Sequence, residues 1–316
     1  MIDYDIYYRE SLLESDISNI KNIDIFISSF NESERVQKVY SKVVAGNKFW
    51  FIQPEYHFTK EIISTLDNVV FTTHFDESRQ VKDIIDNIGT ELQNKIIYID
   101  CTGFMRHTLV FLIIKLGAMG LKKINIIYSE PISYIDNDNT KFSELCREVR
   151  AIKGTNFTKI GKKESTIMSI GYDSELMSQM LNAFEGVMFY PLFSFPSLSA
   201  DMFQQSIIKS SNIQFSNINN LSNYNRNFAP AHDPFSTAKV ISNLVKKIKK
   251  NHISNIYLSP LSTKAQVIGH TYFWWKEHKS LKDLGVNVNI TLPIPCSYQS
   301  KTSRGIGRIW NYTLEM

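Results

Sequence analysis

The chain alternates short apolar runs with longer amphipathic stretches from about residue 24 to its end. Asp24–Ser29 is a continuous β-prone run and reads as a buried strand. Asn31-Glu-Ser-Glu then opens a helix to about Ala45, with Gly46 at its end. Strands follow at Lys48–Gln53, Asn68–Thr73, Lys95–Ile99 and Lys123–Tyr128. Between them lie helices near Lys60–Leu66, over Asp76–Gln93 and over Phe104–Met119. Residues 1–20 are polar and predict a short helical arm, and Ile135–Lys163 a polar, partly helical connector.

The pattern then restarts. Strands are predicted at Ser165–Ile170, Val187–Phe193, Asn212–Phe215, Ser254–Leu258 and Val286–Leu292. Helices are predicted at Asp173–Phe184, Leu198–Lys209, Asp233–Lys250 and Lys264–Leu281, and a last strand at Ile309–Leu314. The Asn- and Ser-rich stretch Asn217–Pro230 reads as a loop. Strand–helix alternation implies parallel sheets. The fold class expected is α/β: two Rossmann-like halves related by internal duplication, residues 1–155 and 156–316. The aromatic run Tyr272–Trp275 covers more than one helix face and requires burial on several sides.

The duplication is visible in the residues. IYIDCTGFMRHTLVFLIIKLGAMGLKKINIIYSEPISY (97–134) and IYLSPLSTKAQVIGHTYFWWKEHKSLKDLGVNVNITLPIPCSY (256–298) share one plan. Each is an apolar run, a polar loop ending in a cation, a helix, a second apolar run and Pro-x-Ser-Tyr. A weaker echo joins 24–40 to 166–181. In open α/β sheets ligands bind at the carboxyl ends of strands, where strand order reverses.

Four places could therefore carry chemistry. Asp100, Thr102, Gly103 and Arg106 form the first: helix-terminal amides, a hydroxyl, close backbone approach and a guanidinium together suit an anion. Asp100 would cap the turn or take a ribose hydroxyl. Ser262, Thr263 and Lys264 occupy the equivalent junction. Asn31, and Tyr172 with Asp173, follow the first strand of each half and could contact a base or sugar. Arg304 and Arg308, in Arg-Gly-Ile-Gly-Arg, add two cations and bare amides. Each set has a purely structural reading as well: capped turns, surface ion pairs, or a glycine-rich turn before an edge strand.

Composition narrows the field. A net charge of +4, from 35 Lys and Arg against 31 Asp and Glu, fits an anionic small molecule better than a protein that coats DNA, a local patch aside. Three scattered Cys exclude a disulfide framework and fit a reducing, cytoplasmic compartment. The most apolar stretch, Thr108–Leu121, is too short to span a bilayer, so no membrane partner is expected. No P-loop, nucleophile elbow or metal-binding histidine spacing occurs, and no cofactor or metal is expected.

Asp100-x-Thr102-x-x-x-Arg106 after a central strand resembles the [DN]-x-[ST]-x-x-x-[RK] signature of the CRISPR-associated Rossmann-fold (CARF) family. The related SAVED domains resemble two such units fused in one chain. The resemblance implies binding of a nucleotide or cyclic oligonucleotide second messenger between two halves, in prokaryotic antiviral defence. In the second half Ser259 replaces the acidic residue, and the spacing to Lys264 is one residue shorter. The chain carries no recognisable effector module, so a separate effector protein is an expected partner, and homo-oligomers are compatible with it. Two alternatives remain open. One is a nucleotide-processing enzyme (a hydrolase, glycosidase or ring nuclease) with Thr102 or Cys101 as reactive group and Asp100, Asp173 or Glu34 as base. The other is a protein–protein interaction module without a ligand.

Overall fold

The computed structural model describes residues 2–135, 143, 146–184, 186–211 and 226–316. The elements of the first part of the chain are β1 (Arg9–Leu12), β2 (Ile23–Ser29), α1 (Glu34–Lys42), β3 (Ala45–Ile52), α2 (Lys60–Ile63), β4 (Val69–Phe71), α3 (Glu77–Ile88), β5 (Ile97–Asp100), α4 (Arg106–Ala118), β6 (Lys123–Ser129) and β7 (Ser133–Tyr134). Next come β8 (Cys146–Ala151), β9 (Glu164–Ser169), α5 (Ser174–Asn182), β10 (Met188–Ser194), α6 (Met202–Ser211), β11 (Asn227–Ala229), α7 (Pro234–Lys249), β12 (Asn255–Pro260), α8 (Lys264–Asp283) and β13 (Asn287–Pro295). β14 (Ser303–Arg304) and β15 (Ile309–Glu315) close the chain.

The protein is α/β, with two Rossmann-like halves. One sheet has the order β1-β15-β6-β5-β2-β3-β4, the other β11-β10-β9-β12-β13-β8. The centre of each repeats one arrangement. The first strand of the half, β2 or β9, is flanked on one side by the next strand and on the other by a later one. Strand order thus reverses between β2 and β5 in one sheet and between β9 and β12 in the other, and both of those pairs are parallel.

The compact units are not contiguous in sequence. One consists of Tyr7–Leu145 with Pro295–Met316, the other of Met1–Ile6 with Cys146–Ile294. The last strand, expected in the second half, instead lies antiparallel to β6 and carries β1 on its other edge. Burial on both faces explains this: Ile309, Tyr312 and Leu314 are buried, and Ile309 joins the core of Leu12, Phe26, Tyr98 and Ile127. A local pattern fixes that a strand exists but not its partner.

Other expectations change too. The N-terminal arm holds β1 and two short 3-10 turns, Tyr4–Ile6 and Glu14–Asn19. Gly46 lies inside β3 rather than ending α1. The connector before Lys163 contains β8, and the expected loop Asn217–Pro230 contains β11, three residues paired with β10. The expected strand Asn212–Phe215 lies outside the described residues. Of the aromatic run, Tyr272, Phe273 and Trp274 are buried within their own unit and Trp275 is half-buried. Tyr272 packs edge-on to Tyr4 and Phe235, and Trp274 Nε1 donates to Val288 O at 2.9 Å. Among the described residues no helix is long and apolar enough to cross a membrane.

Candidate functional site

In the unit of Tyr7–Leu145 and Pro295–Met316, the reversal point is held by side chains at the strand ends. Ser28 Oγ donates to Asp100 Oδ2 (2.9 Å), and Asp100 Oδ1 accepts from Thr102 N (3.0 Å). Thr102 Oγ1 in turn accepts from Ser129 N (3.1 Å), so three neighbouring strands, β2, β5 and β6, are tied in sequence. Asp100 is wholly buried. Desolvation pushes its carboxyl above the ordinary value, opposed by the bonds from Thr102 and Ser28 and by the charge of Arg35. Asp100 therefore caps the turn.

Gly103 stands where no other residue fits. A Cβ there would lie 2.2 Å from Ser29 O. Its carbonyl accepts from Tyr56 Oη (2.7 Å), whose oxygen accepts from Asn31 Nδ2 (3.3 Å). Asn31 Oδ1 accepts from Ser33 N (2.9 Å). The structure thus brings Asn31, Asp100, Thr102 and Gly103 together, all buried and all bonded to the protein itself. Cys101 is also fully buried, and Glu34 is exposed with Lys38 at 2.6 Å.

The cations lie at the rim. Arg106 is the first residue of α4 and half-buried. Arg35, on the first turn of α1, was not singled out in the sequence. Its Nη1 donates to Ser129 O at 2.5 Å, and its Nε is buried without a hydrogen-bond partner among the described residues. Two neighbouring hydroxyls share that condition: Ser33 Oγ and Ser129 Oγ, on residues 5% and 0% exposed. Both guanidiniums act electrostatically on Tyr134, whose hydroxyl burial pushes to a higher pKa. The signal for Arg35 was available: it is a cation on the first turn after a strand at a reversal point, the rule already applied to Arg106.

The Arg-Gly-Ile-Gly-Arg loop lies over the same rim. β14 pairs antiparallel with β7, Gly307 N donates to Glu130 O (2.7 Å), and Glu130 N donates to Arg308 O (2.8 Å). Arg304 and Arg308 are exposed. Glu130 Oε1 accepts from Trp310 Nε1 at 2.7 Å; burial raises its pKa while Arg308 and Arg35 lower it.

A second polar system lies toward β3. Ser29 Oγ and Met105 N both donate to Gln53 Oε1 (2.8 and 2.9 Å), and Gln53 Nε2 donates to Thr108 Oγ1 (3.1 Å). Thr108 continues to Gln80, which donates to Glu55 Oε1 (3.0 Å) beside His107 Nε2 (3.1 Å). Sequence reasoning missed it, because isolated charged and amide residues on helices read as surface.

The other unit repeats the layout with different residues. Gly171 has no room for a Cβ, which would lie 2.2 Å from Leu261 O. Ser259 Oγ meets Thr166 Oγ1 (3.2 Å) and Ser262 Oγ meets Ser194 Oγ (2.9 Å). Thr263 caps α8 through Gln266 N (3.3 Å) and donates to Ala231 O. Asp173 caps α5 through Leu176 N (3.1 Å). Tyr172 bonds Gln205, and Lys209 Nζ reaches its carbonyl (3.1 Å) and ring (4.5 Å from the centroid). Lys264, the first residue of α8, is half-buried. Ser169 Oγ lies 2.7 Å from His270 Nε2, and desolvation pushes the imidazole down to about 3. Arg35's counterpart on the first turn of α5 is the exposed Glu175.

Among the described residues no three His, Cys, Asp or Glu side chains gather as a metal site. Comparison of the chain with protein-family models and with curated proteins gives no match.

Proposed function

We propose that the protein binds a nucleotide-type anion at the carboxyl edge of its β1–β6, β15 sheet. In this reading it is a sensor or accessory subunit, acting with a separate effector protein in antiviral defence, as the resemblance to CARF and SAVED domains implies. One observation carries the reading: Arg35 spans the ends of neighbouring elements with an unused, buried Nε–H, beside unused hydroxyls of Ser33 and Ser129. Buried polar groups without partners are costly, at about 1–3 kcal/mol each, and persist where something else completes them. A guanidinium flanked by hydroxyls is suited to phosphate oxygens, which accept several hydrogen bonds at once. Arg106 supplies the second cation. Asp100, Thr102 and Gly103 hold the rim in place, and Arg304 and Arg308 border it.

The test is calorimetry against a panel of mononucleotides and cyclic oligonucleotides, with mass spectrometry to establish that the ligand is returned intact. Arg35→Ala weakens binding by about 1.5–3 kcal/mol, the range for a charge-assisted bond. Arg35→Lys recovers only part of this, since an ammonium cannot fork two oxygens. Unchanged affinity in Arg35→Ala sinks the site. Turnover of a bound nucleotide would replace the sensor with an enzyme.

A further inference from the structure

A different surface carries positive charge well in excess of its carboxylates. α7 starts at the carboxyl edge of its sheet, after β11, and ends at the opposite, amino edge. Its last turns hold Lys246, Lys247 and Lys249, followed by Lys250. The segment entering β9 brings Lys159, Lys162 and Lys163 to the same edge. Lys163 Nζ donates to Asn251 O (3.3 Å), and Ser254 N donates to Lys163 O (3.2 Å). All of these lysines are exposed except Lys246, which is half-buried.

Carboxylates are scarce there. Neither 153–163 nor 234–276 contains an Asp or Glu. Glu164, at the start of β9, is engaged by Lys159 at 2.9 Å. On these two segments seven lysines stand against one carboxylate, and the end of α8, at the same edge, adds Lys279 and Lys282 with Asp283; the edge therefore exceeds the +4 of the whole chain, and the remainder of the molecule is net acidic. The C-terminal dipole of α7 offsets only about half a charge. Solubility alone is served by mixed signs, not by one concentrated field.

We infer that this amino-edge surface binds the phosphate backbone of duplex nucleic acid without reading its sequence. Lysines held at one edge neutralise phosphates and release condensed counter-ions, which drives such binding. The side chains among them, Asn156, Thr158, Asn251 and His252, can hydrogen-bond to phosphate and sugar. Single strands are bound by stacking bases on free aromatic rings. The nearby ring, Phe157, is instead packed against Tyr257 (centroids 5.8 Å apart). Membrane surfaces are held by basic residues beside a band of inserted apolar ones, whereas Ile248 and Ile253 are buried here and Ile160 is a single exposed apolar side chain among these lysines, not a band. This inference is independent of the anion site at the other sheet.

Fluorescence anisotropy with a labelled blunt RNA duplex and a DNA duplex of the same sequence tests it, from about 50 to about 300 mM salt. Saturable, salt-sensitive binding to either duplex is expected. Lys247→Gln/Lys249→Gln/Lys250→Gln should weaken it at least about tenfold and lower the log–log salt slope by about 2–3, at roughly 0.9 per phosphate contact on a DNA duplex. Lys162→Gln/Lys163→Gln, on the other segment, should also weaken it. Lys95→Gln/Lys115→Gln/Lys122→Gln removes equal charge from the other unit and should stay within about twofold. The inference fails if the wild type binds neither duplex at low salt, or if the triple variant in the other unit loses as much as the α7 one. Tighter binding to the single strand or to phosphatidylserine vesicles overturns it as well.

Discussion

The two reversal points solve one geometric problem with glycines on opposite loops. Between β2 and β5 the glycine is Gly103, after the later strand, pressed on the carbonyl of Ser29 at the end of the earlier one. Between β9 and β12 it is Gly171, after the earlier strand, pressed on Leu261 O beyond the later one. The chemistry differs as well. Arg35 reaches across to Ser129 in one unit, while the corresponding first turn of α5 presents Glu175 to solvent. Shared strand order therefore constrains where the backbone crosses, and leaves the charge at the crossing free to diverge.

The strongest way to break the equivalence of the two crossings is to fill them. Gly103→Ala and Gly171→Ala each put a methyl 2.2 Å from a backbone oxygen that no rotamer change can move. Each should cost about 3 kcal/mol, the upper end of ordinary overpacking, in denaturant unfolding followed by tryptophan fluorescence. Trp50 and Trp310 report one unit, Trp274 and Trp275 the other. A cost under about 1 kcal/mol at one glycine only would show that crossing to be loose.

Acid separates the units next. His270 is buried with its imidazole pushed down to about 3, so the unfolded chain takes up a proton near pH 6.5 that the folded unit refuses. Its stabilising contribution is complete above pH 6.5 and is lost as pH falls, by about 1.4 kcal/mol per pH unit and about 2 kcal/mol by pH 5. Asp100 acts in the opposite sense. Its folded pKa is raised, so its protonated form favours the folded unit, and that contribution is lost as pH rises above the ordinary Asp value. His270→Gln should flatten the acid slope read at Trp274 and Trp275. An unchanged slope would mean that another group carries it.

The contrast between what the sequence discloses and what it hides follows from interaction range. β2, β5, β9 and β12, with the helices after them, were legible because buried parallel strands are continuous apolar runs and helices have period 3.6. β11 was hidden because three residues, Asn-Phe-Ala, beside an Asn- and Ser-rich stretch have no period of their own. The partner of β15 was hidden because pairing with β6 spans more than half the chain. Within the candidate site, Asp100, Thr102 and Gly103 were legible as a cluster but not as a buried lock. Whether Thr102 faces a ligand or Ser129 N is decided by the crossing, not by the motif. Arg35 was masked by the capping reading of Asn31-Glu-Ser-Glu, and Glu55 by its charge, although it is fully buried beside His107.

The smallest expected effect bears most directly on the asymmetry. If anion chemistry resides in the unit that carries Arg35, Lys264→Ala should change nucleotide affinity by less than about 0.5 kcal/mol, as exposed substitutions away from a site do. The hydroxyls beside Lys264 argue for this. Ser262 is bonded to Ser194, and Thr263 to Ala231 O and Gln266 N, so its neighbours offer no unused donor comparable with Ser33 or Ser129. A half-exposed cation gains little from a phosphate in water because solvent screens it. Calorimetry on Lys264→Ala beside Arg35→Ala decides the matter. Losses of about 1.5–3 kcal/mol in both would show that the second crossing kept its part in anion binding. A loss in Arg35→Ala alone would leave the second unit as a copy that kept the backbone crossing and gave up the anion.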